Sequence, residues 1–212
     1  MRFIKSTDST ISRRAFAIGA AAAAVAGPRA LAAAATTGES PLGPFYPVGY
    51  RGESDFDLTR LKGHAKRAQG NVIEVTGRVL DSRGNPVSGA RLTLWQANAF
   101  GRYAHANDPA VAPLDPDFQG TTKLVTDREG AWRIVTVKPK FYDSPIGLRT
   151  PHIHWDVEGR THRLVAQMYF PEDGEMNAKD TLFGQLGPEQ ATSVAAADGA
   201  GRYSWDIVLM DA

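Results

Sequence analysis

Val72-Ile73-Glu74-Val75-Thr76-Gly77-Arg78-Val79-Leu80 runs directly into Asp81-Ser82-Arg83-Gly84-Asn85-Pro86. The first nine residues are rich in β-branched side chains, and the next six are almost all turn formers, so a strand is expected to end there in a tight turn. The pattern recurs downstream. Arg91–Gln96 alternates, with Leu92 and Leu94 on one face. Lys123–Thr126 and Ala131–Val137 flank Asp127-Arg128-Glu129-Gly130, which reads as a hairpin connection. His152–Val157, Arg163–Phe170 and Arg202–Met210 supply three more segments of strand character. About seven short strands with no useful helical period predict an all-β, single-domain β-sandwich.

Ahead of the strands, residues 35–70 read as an irregular N-terminal arm containing Pro41, Pro44 and Pro47, with helical potential only around Leu58–Arg67. Residues 1–34 read as an export signal. Ser12-Arg13-Arg14-Ala15-Phe16 precedes a weakly apolar run, Ala17 to Ala26, and then small residues that permit cleavage after Ala32 or Ala34. Paired arginines before an alanine-rich run favour the twin-arginine route, so the expected location is periplasmic or extracellular. The apolar run is too short for a membrane span, and no stable membrane anchor is expected. The sandwich is expected over 71–212.

Composition narrows the possibilities. A chain of 212 residues with 42% hydrophobic content can bury one substantial core. Its formal net charge of +1 is misleading, because residues 1–35 carry five basic residues and one acid. Setting these aside leaves 19 basic and 22 acidic residues, a net charge of −3. No basic cluster interleaved with aromatics remains, which argues against nucleic acid as a partner. The absence of cysteine excludes disulfides, thiolate catalysis, Cys zinc sites and iron–sulfur clusters.

Two connections, Ala97–Gly120 and Lys138–Pro151, are too long for hairpin turns, and long loops in compact sandwiches are commonly functional. Tyr103 lies in the first and Tyr142 in the second. His152 and His154 open the strand that follows, and side chains two apart on a strand share a face. Taken alone, a loop tyrosine is usually a packing residue, and an H-x-H pair arises by chance. Together the four converge on one end of the sandwich, where phenolate oxygens and imidazoles suit a hard, highly charged ion such as ferric iron. Tyr46, Tyr50, Tyr169 and Tyr203 read as arm or core residues, and His64, His105 and His162 as surface or supporting ones.

Four segments in order carry a family resemblance. Trp95-Gln96-Ala97-Asn98-Ala99-Phe100-Gly101-Arg102-Tyr103 looks like the first iron-ligand motif of the intradiol ring-cleavage dioxygenases. Arg149-Thr150-Pro151-His152-Ile153-His154 resembles the second histidine-bearing motif, Leu164–Phe170 the strand after it, and Leu42-Gly43-Pro44-Phe45-Tyr46-Pro47 the entry arm. The likeness spans about residue 40 to the C-terminus and is strongest to the protocatechuate 3,4-dioxygenase branch. It implies Fe(III) held by Tyr103, Tyr142, His152 and His154, with Tyr142 the ligand that leaves when substrate binds. It implies that Arg149 stabilises charge on the substrate ring and that Gln167 lines the pocket. The implied reaction is cleavage of a catechol-type small aromatic diol between its hydroxyls with O2, giving a cis,cis-muconate, in a homo-oligomer. Phe141-Tyr142-Asp143-Ser144-Pro145 departs from the protocatechuate pattern, which leaves the ring substituent open.

Two rival readings exist. The turn-rich segments at 80–90 and 126–130 also resemble non-catalytic transthyretin-like binding modules. His152-x-His154-x-x-x-Glu158 fits the core of a cupin metal motif, but no later segment supplies the remaining histidine.

Overall fold

A computed structural model describes residues 34–210. Most of the expected export signal (residues 1–33) lies outside the described residues. Eleven strands form among them, and the fold is an all-β sandwich. One sheet is built around β1 (Val72–Asp81), the other around β2 (Arg91–Trp95). The second sheet has the order β3-β2-β7-β8, with β3 Thr121–Val125, β7 His152–Glu158 and β8 Arg163–Tyr169, all pairs antiparallel. In the first sheet, β1 pairs antiparallel with β4 (Ala131–Val137) on one side. On its other side it pairs in parallel with β10 (Arg202–Ser204) and then β11 (Ile207–Leu209). A two-residue strand, β9 (Ala196–Ala197), closes the edge beside β10.

The core lies between the sheets and follows the period-two pattern of the strands. Ile73, Val75 and Val79 of β1 and Ile134 of β4 meet Leu92 and Leu94 of β2, Ile153, Trp155 and Val157 of β7, and Ala166 and Met168 of β8. All are buried. The opposite face of the second sheet therefore carries Trp95, His152, His154, Asp156, Gln167 and Tyr169. That face is buried as well, beneath the arm and the 171–193 segment.

Three expectations change. The segment Arg202–Met210 is two strands, because Trp205 breaks the ladder. Its amide donates to Thr76 O (2.9 Å), and its carbonyl passes so near Gly77 that a Cβ there would lie 1.9 Å away. Only glycine fits at that crossing. Second, Leu58–Arg67 forms turns and no helix. Asp57 Oδ1 accepts from both Thr59 N (3.0 Å) and Thr59 Oγ1 (2.5 Å), which competes with helical bonding, while fully buried Leu58 joins the core. Third, residues 171–193 contain short helices that the sequence reading did not anticipate: α1 (Gly174–Asn177), α2 (Thr181–Gln185) and α3 (Gln190–Ser193). None is longer than five residues, too short to produce a readable hydrophobic period.

The arm is bound to the edges of both sheets. Thr37 N donates to Val208 O (3.1 Å) on β11, and Ser40 N to Val165 O (2.8 Å) on β8. Leu58 N donates to Val135 O (2.8 Å) on the free edge of β4. Among the described residues no helix is long and apolar enough to cross a membrane.

Candidate metal centre and substrate pocket

Register across the second sheet brings the site together. Trp95 pairs with His154, which pairs with Gln167, and His152 pairs with Tyr169, so these side chains occupy adjoining positions on the outer face. The sequence reading placed the site at one end of the sandwich. The histidines lie where β7 begins and project from the outer face of the sheet, beside the last residue of β2 and the end of β8. Tyr103 arrives from the 97–120 loop. Asn98 Oδ1 accepts from Phe100 N and Arg102 N (2.9 and 3.0 Å), and Asp108 Oδ2 accepts from Tyr103 N (2.6 Å), which fixes the loop. Gly101, at φ +82°, lies so close to the neighbouring segment that a Cβ would sit 2.6 Å from Phe141 O. That approach holds Tyr103 and Tyr142 together, their ring centroids 5.5 Å apart. Tyr142 does not sit in a structureless loop. It opens a small hairpin of β5 (Tyr142–Ser144) and β6 (Gly147–Arg149), and the register sets it opposite Arg149.

Three donor atoms converge. Tyr103 Oη lies 3.1 Å from His154 Nε2 and 3.4 Å from His152 Nε2, and the two Nε2 atoms are 3.1 Å apart. The Tyr142 ring is 5.8 Å from that of His152. His152 Nδ1 faces the carbonyl of Thr150 at 2.6 Å. A carbonyl only accepts, so Nδ1 carries the proton and Nε2 presents its lone pair to the cluster. Burial, followed by the Arg149 charge, lowers the His152 pKa to about 3. Burial and the His152 charge hold His154 well below the usual imidazole range. Both phenols are shifted up, Tyr103 by burial and then by Tyr142, Tyr142 by burial against the opposing pull of Arg149. The protein alone thus favours neutral imidazoles and neutral phenols at this cluster.

This donor set fits a metal ion. Two first-row metal–ligand bonds of about 2.1 Å meeting at a right angle place their donors about 3.0 Å apart, and wider angles place them further apart. The separations of 3.1–3.4 Å fall in that range. His152 Nε2 offers a lone pair to this cluster, and His154 Nε2 and Tyr103 Oη lie at distances a shared cation could bridge. Trp95 stacks on His154, with centroids 4.8 Å apart and an interplanar angle of 9°, and this contact fixes the ring although its Nδ1 has no hydrogen-bond partner. Tyr46 abuts Trp95 edge-on at 5.1 Å and donates to Asp156 Oδ2 (3.0 Å), while Arg163 donates Nε to Asp156 Oδ1 and Nη2 to Oδ2. Glu158, the third residue of the cupin-like pattern, pairs with Arg91 at the far end of β7, outside the cluster.

Beside the cluster lies a cavity of about 320 Å³ that Arg149, His154, Gln167 and Tyr142 help to line. Arg149 is buried and held by Asp180. Its Nε donates to Asp180 Oδ2 (2.9 Å), and Nη2 donates to Gln167 Oε1 (2.5 Å). Asp180 Oδ2 also takes Thr150 N (2.9 Å), while Oδ1 caps α2 through Leu182 N and Phe183 N. One carboxylate therefore fixes the guanidinium, the start of α2 and, through Thr150, the imidazole of His152. The sequence reading missed Asp180. Its only local signal is an Asp directly before Thr181-Leu182-Phe183, a pattern shared by any helix N-cap. Gln167 Nε2 is buried without a partner.

Residues 42–211 match the Dioxygenase family model (Dioxygenase_C). The chain belongs to the intradiol ring-cleavage dioxygenase family. The protocatechuate 3,4-dioxygenase beta chain of Burkholderia cepacia is 42% identical over 169 residues, covering 77% of this chain and 69% of its own. The hydroxyquinol 1,2-dioxygenase of a Rhizobium species is 36% identical, covering 55% of this chain and 43% of its own, so the match spans less than half of that relative. Two solved structures share the intradiol dioxygenase fold. One is the dioxygenase domain of a carbohydrate-binding fusion from Streptomyces sp. SirexAA-E, with a TM-score of 0.64 and 24% identity, covering 84% of this chain and 100% of that one. The other is the 3-chlorocatechol 1,2-dioxygenase of Rhodococcus opacus, with a TM-score of 0.63 and 21% identity, covering 85% of this chain and 74% of that one.

Proposed function

We propose that the chain is a non-haem Fe(III) intradiol dioxygenase that opens a catechol-type ring between its two hydroxyl-bearing carbons. The convergence of Tyr103 Oη with the Nε2 atoms of His152 and His154, within 3.1–3.4 Å of one another, carries this reading. Tyr103, Tyr142, His152 and His154 are the proposed ligands. Two phenolates would offset most of a +3 charge, and a cation of that charge would ionise phenols that burial otherwise keeps protonated. Ferric iron, when bound, acts as a Lewis acid on the diol and draws electron density from the ring, making it reactive towards dioxygen. The carbon–carbon bond between the hydroxyl-bearing carbons breaks, and both atoms of dioxygen enter the ring-opened diacid, so no external reductant is required.

The remaining roles belong to the chain. Tyr142 is half-buried and sits on a short hairpin, so of the two phenols it is the one placed to accept a substrate hydroxyl proton at Oη. Arg149, locked by Asp180, presents fixed positive charge where negative charge builds on the ring, a form of preorganisation that needs no rearrangement during the reaction. Gln167 Nε2 is an unused donor beside it. The proposal extends to export through the 1–34 signal, to a small aromatic diol and O2 as partners, and to a homo-oligomer.

Absorbance tests the ligand set. Iron-loaded protein should be reddish-brown from tyrosinate-to-iron charge transfer, and Tyr103→Phe should lose part of that band while still folding. A colourless iron-loaded protein would overturn the two-tyrosine assignment.

A further inference from the structure

The cavity beside the cluster changes character along its length. At its buried end stand His154, Gln167 and Arg149; towards solvent its wall is made by Pro44, Phe45, Pro145, Ile146 and Leu182. Pro44 and Phe45 come from the arm, Pro145 and Ile146 from the turn between β5 and β6, and Leu182 from α2. Arg149 is the one charged residue in the lining, and its Nε and Nη2 are already taken by Asp180 and Gln167 at the buried end. A diol anchored at the cluster directs the rest of its ring towards the apolar mouth. A carboxylate on that part of the ring would lose part of its hydration against the apolar side chains of the mouth and meet no cation among them. A hydrocarbon group there gains instead, by about fourfold in binding for each methylene removed from water.

Building on the dioxygenase reading, we propose that the substrate is a neutral catechol carrying an apolar substituent, and that carboxylated catechols are disfavoured. The relative named for protocatechuate, a catechol with a carboxylate, is therefore expected to differ from this chain at the mouth of the pocket. At about 320 Å³ the cavity lies at the lower end of the range for small-molecule sites, about 300–1,000 Å³, enough for one substituted ring.

The test uses iron-loaded full-length protein with catechol, 4-methylcatechol, protocatechuate and hydroxyquinol, following oxygen uptake and the absorbance of the ring-opened product. The kcat/KM for 4-methylcatechol should exceed that for protocatechuate by about 100-fold. Anaerobic titration of the charge-transfer band should give tighter binding of p-cresol than of 4-hydroxybenzoate. Ile146 is half exposed at a turn, so Ile146→Lys is tolerated by the fold and should shift the ratio about tenfold towards protocatechuate. A wild-type preference for protocatechuate or hydroxyquinol overturns the inference and leaves the dioxygenase reading standing, as does an unchanged ratio in the lysine variant. Turnover of no diol at all removes the activity itself, and the inference with it.

Discussion

Strand β7 presents Ile153, Trp155 and Val157 to one side and His152, His154 and Asp156 to the other, and all six are almost fully buried. On the inner side, burial is its own explanation, since apolar groups leave water and meet apolar groups from the facing sheet. The unpartnered polar atoms there, the indole nitrogens of Trp132 and Trp155, are donors without a lone pair and hold no cation. On the outer side, burial works against the residues present. Burial holds the imidazoles of His152 and His154 and the phenols of Tyr103 and Tyr142 towards their neutral forms, with polar atoms of three of them within 3.4 Å of one another. The contrast separates packing from chemistry within a single strand: inner residues stabilise the sandwich, while His152 and His154 on the outer side belong to the proposed metal site.

Three variants would break or sharpen that contrast. His154→Ala should show the largest chemical effect. Iron colour and turnover should disappear while the unfolding midpoint moves little, and a fully coloured variant would mean the outer face holds no metal through this residue. Asp180→Asn comes next. It retains hydrogen bonding to Thr150 N but removes the charge facing Arg149, and a lost supporting partner typically costs about 10–100-fold in activity or metal affinity. The shape of the charge-transfer band should change with it, because His152 is positioned through Thr150. Unchanged kcat and spectrum would reduce Asp180 to a helix cap. Val157→Ala is the smallest perturbation of the chemistry. It should lower stability by about 2 kcal/mol in denaturant unfolding and leave kcat and colour alone. A loss of colour would show that the two faces are not independent.

The alternation in β7 was legible because a strand declares its faces with period two, and the pair His152/His154 stands out against Ile153, Trp155 and Val157. Register was not legible. Nothing in the sequence places Trp95 beside His154 and Gln167 across three strands, so which face of the sheet carries the site could not be read. Tyr103 and Tyr142 were recognisable as loop tyrosines, yet the hairpin that carries Tyr142 depends on three-residue strands, below the length at which alternation can be seen. Asp180 lies 31 residues from Arg149, and its partner is chosen by the tertiary fold alone. The break at Trp205 was hidden for a related reason, since the reading of Arg202–Met210 as one strand considered that segment without the glycine opposite it.

The arm has a consequence for how the protein can change over time. Pro41, Gly43, Pro44 and Phe45 wall the proposed substrate cavity, and the same peptide, through Ser40, covers part of the outer edge of β8. An uncovered strand edge is a template for self-association. Evolving a wider substrate range by loosening this segment would therefore also expose that edge to aggregation. Substrate range and solubility are tied together there, whereas the β5–β6 turn across the cavity is the place where one can be altered without the other.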